Sequence, residues 1–142
     1  MDDNLKNKYK ADIDQHKIRH DCIEILREVK CLLDMHHVTF WLDQGTLLGA
    51  IRGNDFIPWD WDIDLSAWNV SFNPNQEVWQ EFRRRGYYVF FLKKSMTVRL
   101  EKKDPTIRWR HVDIHFYNLC NDTAISYYSL FDEHLGQKYL FK

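Results

Sequence analysis

The stretch that most constrains this chain is Pro58-Trp59-Asp60-Trp61-Asp62-Ile63-Asp64-Leu65-Ser66. Apolar residues take the odd positions from Trp59 to Leu65 and polar residues take the even ones. That strict period of two predicts a strand with one face in a core. Pro58 disfavours helix in the residue before it and marks the approach to the strand. Asp is depleted in strands, so Asp60, Asp62 and Asp64 on one face, about 6.5 to 7 Å from one to the next, need a reason. If folding brings two carboxylates to about 4 Å, they repel by roughly 4 kcal/mol at an effective dielectric of about 20. A divalent cation reverses the sign of that energy, and hard ions such as Mg²⁺ and Mn²⁺ take carboxylate and phosphate oxygens together. The competing reading is an edge strand whose polar face is simply wet.

The rest of the chain places this strand in a domain. Ile18, Cys22, Ile25, Leu26, Val29, Leu32 and Leu33 recur at three- and four-residue steps, which predicts a long N-terminal helix over residues 11–36. Residues 38–42 read as a short strand broken by Asp43-Gln44-Gly45-Thr46, with a short helix over 47–51 and a turn at Gly53-Asn54-Asp55. A helix over 76–85 is stopped by Gly86, and 87–92 with 97–101 read as a strand pair. A further strand over 108–117 carries Val112, Ile114 and Phe116 on its apolar side and His111, Asp113 and His115 on its polar side. Residues 124–141 fit neither pattern. The order predicts an α+β fold, a mixed sheet with helices packed on it, in one domain over 1–142.

Two features add to the carboxylates. Gly45 directly after a strand and before a helix lets backbone N–H groups approach a ligand, and a helix start favours anions; alone, it is an ordinary turn. Asp113 supplies a third oxygen ligand if its strand pairs beside Asp62 and Asp64; otherwise it is an exposed strand residue.

Gly-Thr, Asp-Ile-Asp and Val-Asp-Ile in this order match the general signature of the nucleotidyltransferase fold. The stretch FWLDQGTLLGAIRGNDFIPWDWDIDLSAW, residues 40–68, closely resembles the LicD/fukutin family of phosphotransferases. That resemblance implies transfer of a phospho-alcohol group, such as phosphocholine or ribitol phosphate, from a CDP-linked donor to a sugar hydroxyl of a glycan. Under it, Asp62, Asp64 and Asp113 are the Mg²⁺ ligands and catalytic carboxylates, with Mn²⁺ the alternative ion. Gln44, Gly45 and Thr46 sit against the donor phosphates, Arg52 neutralises phosphate charge, and Asp60 has a supporting role. It also implies a chain shortened at its C-terminus, since family members run on beyond the third-carboxylate strand. Two other readings stay open: a non-catalytic nucleotide- or glycan-binding module, and a nucleotidyltransferase proper.

Charge narrows the field. With 20 basic and 21 acidic residues, the chain lacks the footprint of a nucleic-acid binder. Arg83–Arg85 and the set Lys93, Lys94, Arg99, Lys102 and Lys103 read as solvated surfaces before they read as phosphate clamps. Cys22, Cys31 and Cys120 show no paired spacing and read as reduced thiols. The charged start (Asp2, Asp3, Lys6, Lys8) is not a signal peptide, and no apolar run reaches the length of a membrane span, so a cytoplasmic chain is expected. Trp59 and Trp61 are expected in the core. His115 is either a neighbour of the carboxylates or a surface residue, and Ser66 has no His/Asp partner order of a hydrolase.

Overall fold

The computed structural model describes residues 15–60, 62–107, 111–126, 129–132 and 137–140. The apolar stripe from Ile18 to Leu33 forms α1 (Gln15–Met35), as its spacing predicts; residues 11–14 lie outside the described residues. A short strand, β1 (Phe40–Leu42), leads into α2 (Gln44–Gly53), which starts earlier than the apolar run suggests. The reason is Asp43, whose extended backbone and carboxylate cap the helix by accepting the N–H of Gln44 at 2.8 Å. Asn54, in the left-handed region at φ 52°, closes the other end with its N–H on the Ala50 carbonyl.

The central strand of the motif is β2 (Asp62–Trp68). It is followed by a 3₁₀ turn, then α3 (Glu77–Arg84), β3 (Tyr87–Leu92), β4 (Thr97–Lys102), β5 (His111–Cys120) and β6 (Thr123–Ser126). The stretch with no clear pattern thus contributes strands: β6, and a separate antiparallel pair β7 (Ser129–Asp132) and β8 (Gln137–Leu140).

Among the described residues, β1 to β6 form one mixed sheet in the order β1-β2-β5-β4-β3, with β6 paired to the far end of β5. The parallel pair is β2 with β5; β1–β2, β5–β4 and β4–β3 are antiparallel. The expected α+β architecture, with a long N-terminal helix, is therefore present.

One face of this sheet is the core. Ile63, Leu65 and Ala67 of β2, Val98 and Leu100 of β4, and Val112, Ile114 and Phe116 of β5 are buried together with Val29, Leu32 and Leu33 of α1 and Trp79 and Phe82 of α3. Rings tighten the contact: Trp79 meets Phe116 at 6.3 Å and Phe82 meets Tyr87 edge-on at 5.4 Å. Each such aliphatic or aromatic side chain contributes about 1.5 to 3 kcal/mol by leaving water. This burial fixes which face of β2 and β5 is left for the polar residues, because a one-residue slip would exchange the faces.

Two expectations fail at the entry to β2. The alternation beginning at Trp59 is not strand that far back: Asp60 lies in a turn, its N–H bonded to the Ile57 carbonyl at 2.9 Å. That turn takes up residues 57–60, so Asp60 lies before β2 and is not one of its strand residues. Trp59 is 73% exposed and is not a core residue, while Trp61 lies outside the described residues. Cys22 is buried and Cys31 and Cys120 are exposed, all three free thiols. Among the described residues no helix is long and apolar enough to cross a membrane.

Candidate active site

The polar face of β2 and β5 carries the site. The parallel register sets Asp62 beside His111, Asp64 beside Asp113 and Ser66 beside His115. Paired residues point to the same side of the sheet, so six polar side chains crowd one patch of a sheet whose other face is core. Asp64 and Asp113 are each only 7% exposed. Burying two carboxylates side by side is costly unless each is paired and hydrogen-bonded.

The structure shows how each is held. Arg99 of β4, in register with Asp113, donates from Nε to Oδ1 at 2.8 Å and from a terminal nitrogen to Oδ2 at 2.7 Å. This two-pronged contact is the strong geometry for a guanidinium and a carboxylate. It raises the already high pKa of Arg99, Asp113 being the main cause. Asp64 turns to His115, whose Nε2 lies 3.3 Å from Oδ1 while its Nδ1 lies 3.1 Å from the hydroxyl of Thr97. His115 is 4% exposed, so the surface alternative for it is excluded. Asp62 faces His111, with Nε2 at 3.5 Å from Oδ2. That contact is the largest influence holding the Asp62 carboxyl below the usual range; desolvation opposes it, and a hydrogen bond with Asp60 assists.

Asp62, His111 and Asp113 each offer one ligand atom, all within 4.8 Å of one another. Two carboxylate oxygens and one imidazole nitrogen at that spacing fit a divalent cation, and the donor set suits Mn²⁺ as well as Mg²⁺. Asp64 is adjacent by register but is not in this cluster, its carboxylate being engaged by His115. His111 was not singled out from sequence as a ligand, although its place two residues before Asp113 on the same strand face was a readable signal.

The turn that starts α2 is fastened to this patch. Thr46 is buried and its hydroxyl accepts the backbone N–H of Asp64 at 2.9 Å. The N–H of Asp43 donates to the Asp64 carbonyl at 3.1 Å. The Asp43 carboxylate accepts from Ser66 Oγ at 2.5 Å and from the Tyr117 hydroxyl at 3.0 Å as well as from Gln44 N. Asp43 is thus a three-way bracket between helix start and sheet, missed in the sequence reading though Asp before a helix is a readable cap. Gln44 takes φ 44°, the left-handed region that a side chain normally avoids. Such conformations persist where the surroundings enforce them.

Asp60 reaches the same turn from outside. A Cβ added to Gly45 would lie 2.1 Å from Asp60 Oδ2, so the glycine is what lets that carboxylate lie against the helix start. Arg52 is exposed in the last turn of α2, about 12 Å along the helix axis from Gln44. The basic clusters divide: Arg84 and Arg85 pair with Glu81 at 2.8 and 3.1 Å, Lys102 pairs with Glu28 at 2.6 Å, and Arg99 belongs to the site.

Comparison with known proteins identifies the family of the chain. Residues 37–139 match the family described as LicD/FKTN/FKRP, nucleotidyltransferase domain. The ribitol 5-phosphate transferase FKRP of Homo sapiens is 45% identical over 51 residues, 33% of this chain and 10% of that protein. The lipopolysaccharide cholinephosphotransferase LicD of Haemophilus influenzae is 38% identical over 58 residues, 41% of this chain and 22% of that protein. The chain thus spans less than a quarter of the length of either relative. Among solved structures, the lincosamide antibiotic adenylyltransferase LnuA superposes with a TM-score of 0.48 at 22% identity, over 82% of this chain and 66% of that one. With the family match running from just past α1 into β8, this chain belongs to the LicD/FKTN/FKRP nucleotidyltransferase-domain family.

Proposed function

We propose that the chain is a metal-dependent phosphotransferase that moves a phospho-alcohol group, of the phosphocholine or ribitol-phosphate kind, from a CDP-linked donor to a sugar hydroxyl of a glycan. The observation that carries this reading is the β2–β5 register, which sets Asp64 beside Asp113 and Asp62 beside His111 next to the tethered start of α2.

In this reading Asp62 and Asp113 would hold Mg²⁺, or Mn²⁺ in its place, with His111 as a nitrogen donor, and Asp64 would join them by turning its carboxylate from His115 toward the ion. When bound, such an ion offsets phosphate charge and polarises the bond to the leaving nucleotide. The start of α2 meets the donor phosphates through the Gly45 backbone N–H and the Gln44 side chain, the Gln44 N–H being taken by Asp43, and Thr46 keeps that turn against Asp64. Arg52 adds positive charge at longer range, and Asp60 supports the turn through its place against Gly45. Asp113 accepts the proton of the attacking hydroxyl, with Arg99 setting the orientation of its carboxylate. Phosphoryl transfer asks a protein mainly for positioning and charge neutralisation, and these residues supply both.

The test is calorimetric titration of CDP and CTP into the purified chain with and without Mg²⁺, beside the double variant Asp62→Ala, Asp64→Ala. Binding that needs both metal and aspartates is expected, followed by release of CMP from CDP-ribitol or CDP-choline in the presence of acceptor. Transfer that persists in the double variant sinks the reading. The pairing of Asp113 with Arg99 and of Asp64 with His115 favours a second one, a non-catalytic nucleotide- or glycan-binding module whose carboxylates are already compensated. Turnover by the purified chain eliminates it. A nucleotide retained on the acceptor, in place of released CMP, marks a nucleotidyltransferase instead.

A further inference from the structure

The polar face of the sheet does not end at the acidic patch. Along β3, Tyr87 is buried while Tyr88, Phe90 and Leu92 point outward, Tyr88 being 53% exposed and Phe90 43%. The register places Tyr88 beside Glu101, Phe90 beside Arg99 and Leu92 beside Thr97. Those β4 residues lie in turn beside His111, Asp113 and His115. One row therefore crosses the sheet from Phe90 to Arg99 to Asp113 to Asp64, and two strand spacings set Phe90 about 10 Å from Asp113.

The two rings form an open pair, 6.1 Å between centroids and inclined by 34°. The amine of Lys103 sits over the Tyr88 ring at 5.0 Å. Exposed apolar rings side by side on a sheet face lose the benefit of burial and point to a ligand that covers them. The strip lies on the β3 side of the acidic patch, whereas the start of α2 follows β1 on the opposite edge. A transfer roughly in line across the patch, with the donor phosphates at the α2 turn, needs its acceptor on the side where the strip lies.

We propose that Tyr88 and Phe90 are the binding platform for a sugar ring of the acceptor, an assignment that rests on the phosphotransferase reading above. The apolar C–H face of a pyranose stacks on the rings, and its hydroxyls meet Glu101 and Arg99, which lie between the strip and the acidic patch, and Lys103 over the Tyr88 ring. A nucleobase on the same rings would put both reactants on one side of the patch.

The test titrates methyl β-galactoside, methyl β-glucoside and methyl β-N-acetylgalactosaminide into the full chain without any donor, followed by NMR of the aromatic ring resonances. The ring signals of Tyr88 and Phe90 shift with at least one glycoside. The double variant Tyr88→Ala, Phe90→Ala, which changes only exposed side chains, weakens that binding by about tenfold or more. Binding of CDP with Mg²⁺ stays unchanged in the same variant. Three results overturn the proposal: no glycoside shifts these rings, the shifts fall instead on Trp41 of β1 and Trp68 of β2, whose rings lie 5.0 Å apart, or the strip signals respond to protein dilution in place of sugar, which makes it a contact between two copies of the chain. If the wild-type chain binds glycoside on the strip but not CDP with Mg²⁺, the platform stands as a glycan site and the phosphotransferase reading falls alone.

Discussion

The hydroxyl of Thr46 accepts the backbone N–H of Asp64 at 2.9 Å, joining the start of α2 to the strand that carries the acidic patch. Thr46→Val keeps the shape and removes the acceptor, leaving a buried N–H without a partner. The expected loss is about 1 to 3 kcal/mol in urea unfolding. Metal-dependent CDP affinity should fall with it, and Thr46→Ser should restore both. A Thr46→Val protein as stable as wild type means the bond has no energetic weight.

Arg99 and a cation compete for the same carboxylate. Arg99→Ala leaves Asp113 buried beside Asp64 without its guanidinium, at an expected cost of about 2 kcal/mol, held below the figure for a fully buried pair because Arg99 is itself partly exposed. Mn²⁺ added to that variant should raise its melting temperature more than it raises that of wild type. Equal or smaller metal-induced shifts in the variant would falsify the placement of Asp113 in a cation site.

Tyr87 donates its hydroxyl to Glu28 at 2.7 Å from a buried position. Burial first, and then the Glu28 carboxylate, push its pKa up. The protonated phenol is therefore favoured in the folded state. Its contribution is whole below the unfolded value of about 10 and drains away as pH rises above it, where the unfolded chain gives up its proton and the folded one resists. Tyr87→Phe should cost about 1 kcal/mol at pH 7. The gap to wild type should narrow in alkali, measured by urea unfolding at both pH values; a gap that stays constant rules the account out.

Two of the three glycines of α2, Gly45 and Gly49, should behave differently. A Cβ on Gly49 would lie 2.4 Å from the Asp55 carbonyl oxygen, a backbone atom that cannot swing aside. Gly49→Ala should destabilise by about 1 to 3 kcal/mol through this overpacking. The three atoms nearest a Cβ on Gly45 all belong to the Asp60 side chain, whose carboxylate end can rotate away. Gly45→Ala should therefore lose less stability in thermal melts and show its effect in CDP binding instead. If Gly45→Ala proves the more damaging to stability, the Asp60 carboxylate is held more rigidly than its chain end suggests.

Much of this arrangement is legible in the amino-acid sequence. The Ile63-Leu65 and Val112-Ile114-Phe116 alternations announce two half-buried strands, and the spacing from Ile18 to Leu33 announces the helix that covers them. Asp62, Asp64 and Asp113 stand out as carboxylates where strands avoid them. The same alternation misled at Trp59 and Asp60, because a period of two continues in letters through a turn that the backbone does not take as strand. The apolar run understates α2 because its first turn is set by the Asp43 cap and not by apolar residues.

By itself the sequence determined which residues share a face, since side-chain alternation is a local property of extended backbone. It could not determine which strand lies beside which. That Arg99 grips Asp113, that His115 turns to Asp64, and that His111 joins Asp62 and Asp113 all follow from the order β2-β5-β4 and its registers. Those are set by core burial on the opposite face of the sheet, through contacts between residues far apart in the chain. Only the tertiary structure decided them, because a pattern of two specifies a face and leaves the neighbour open.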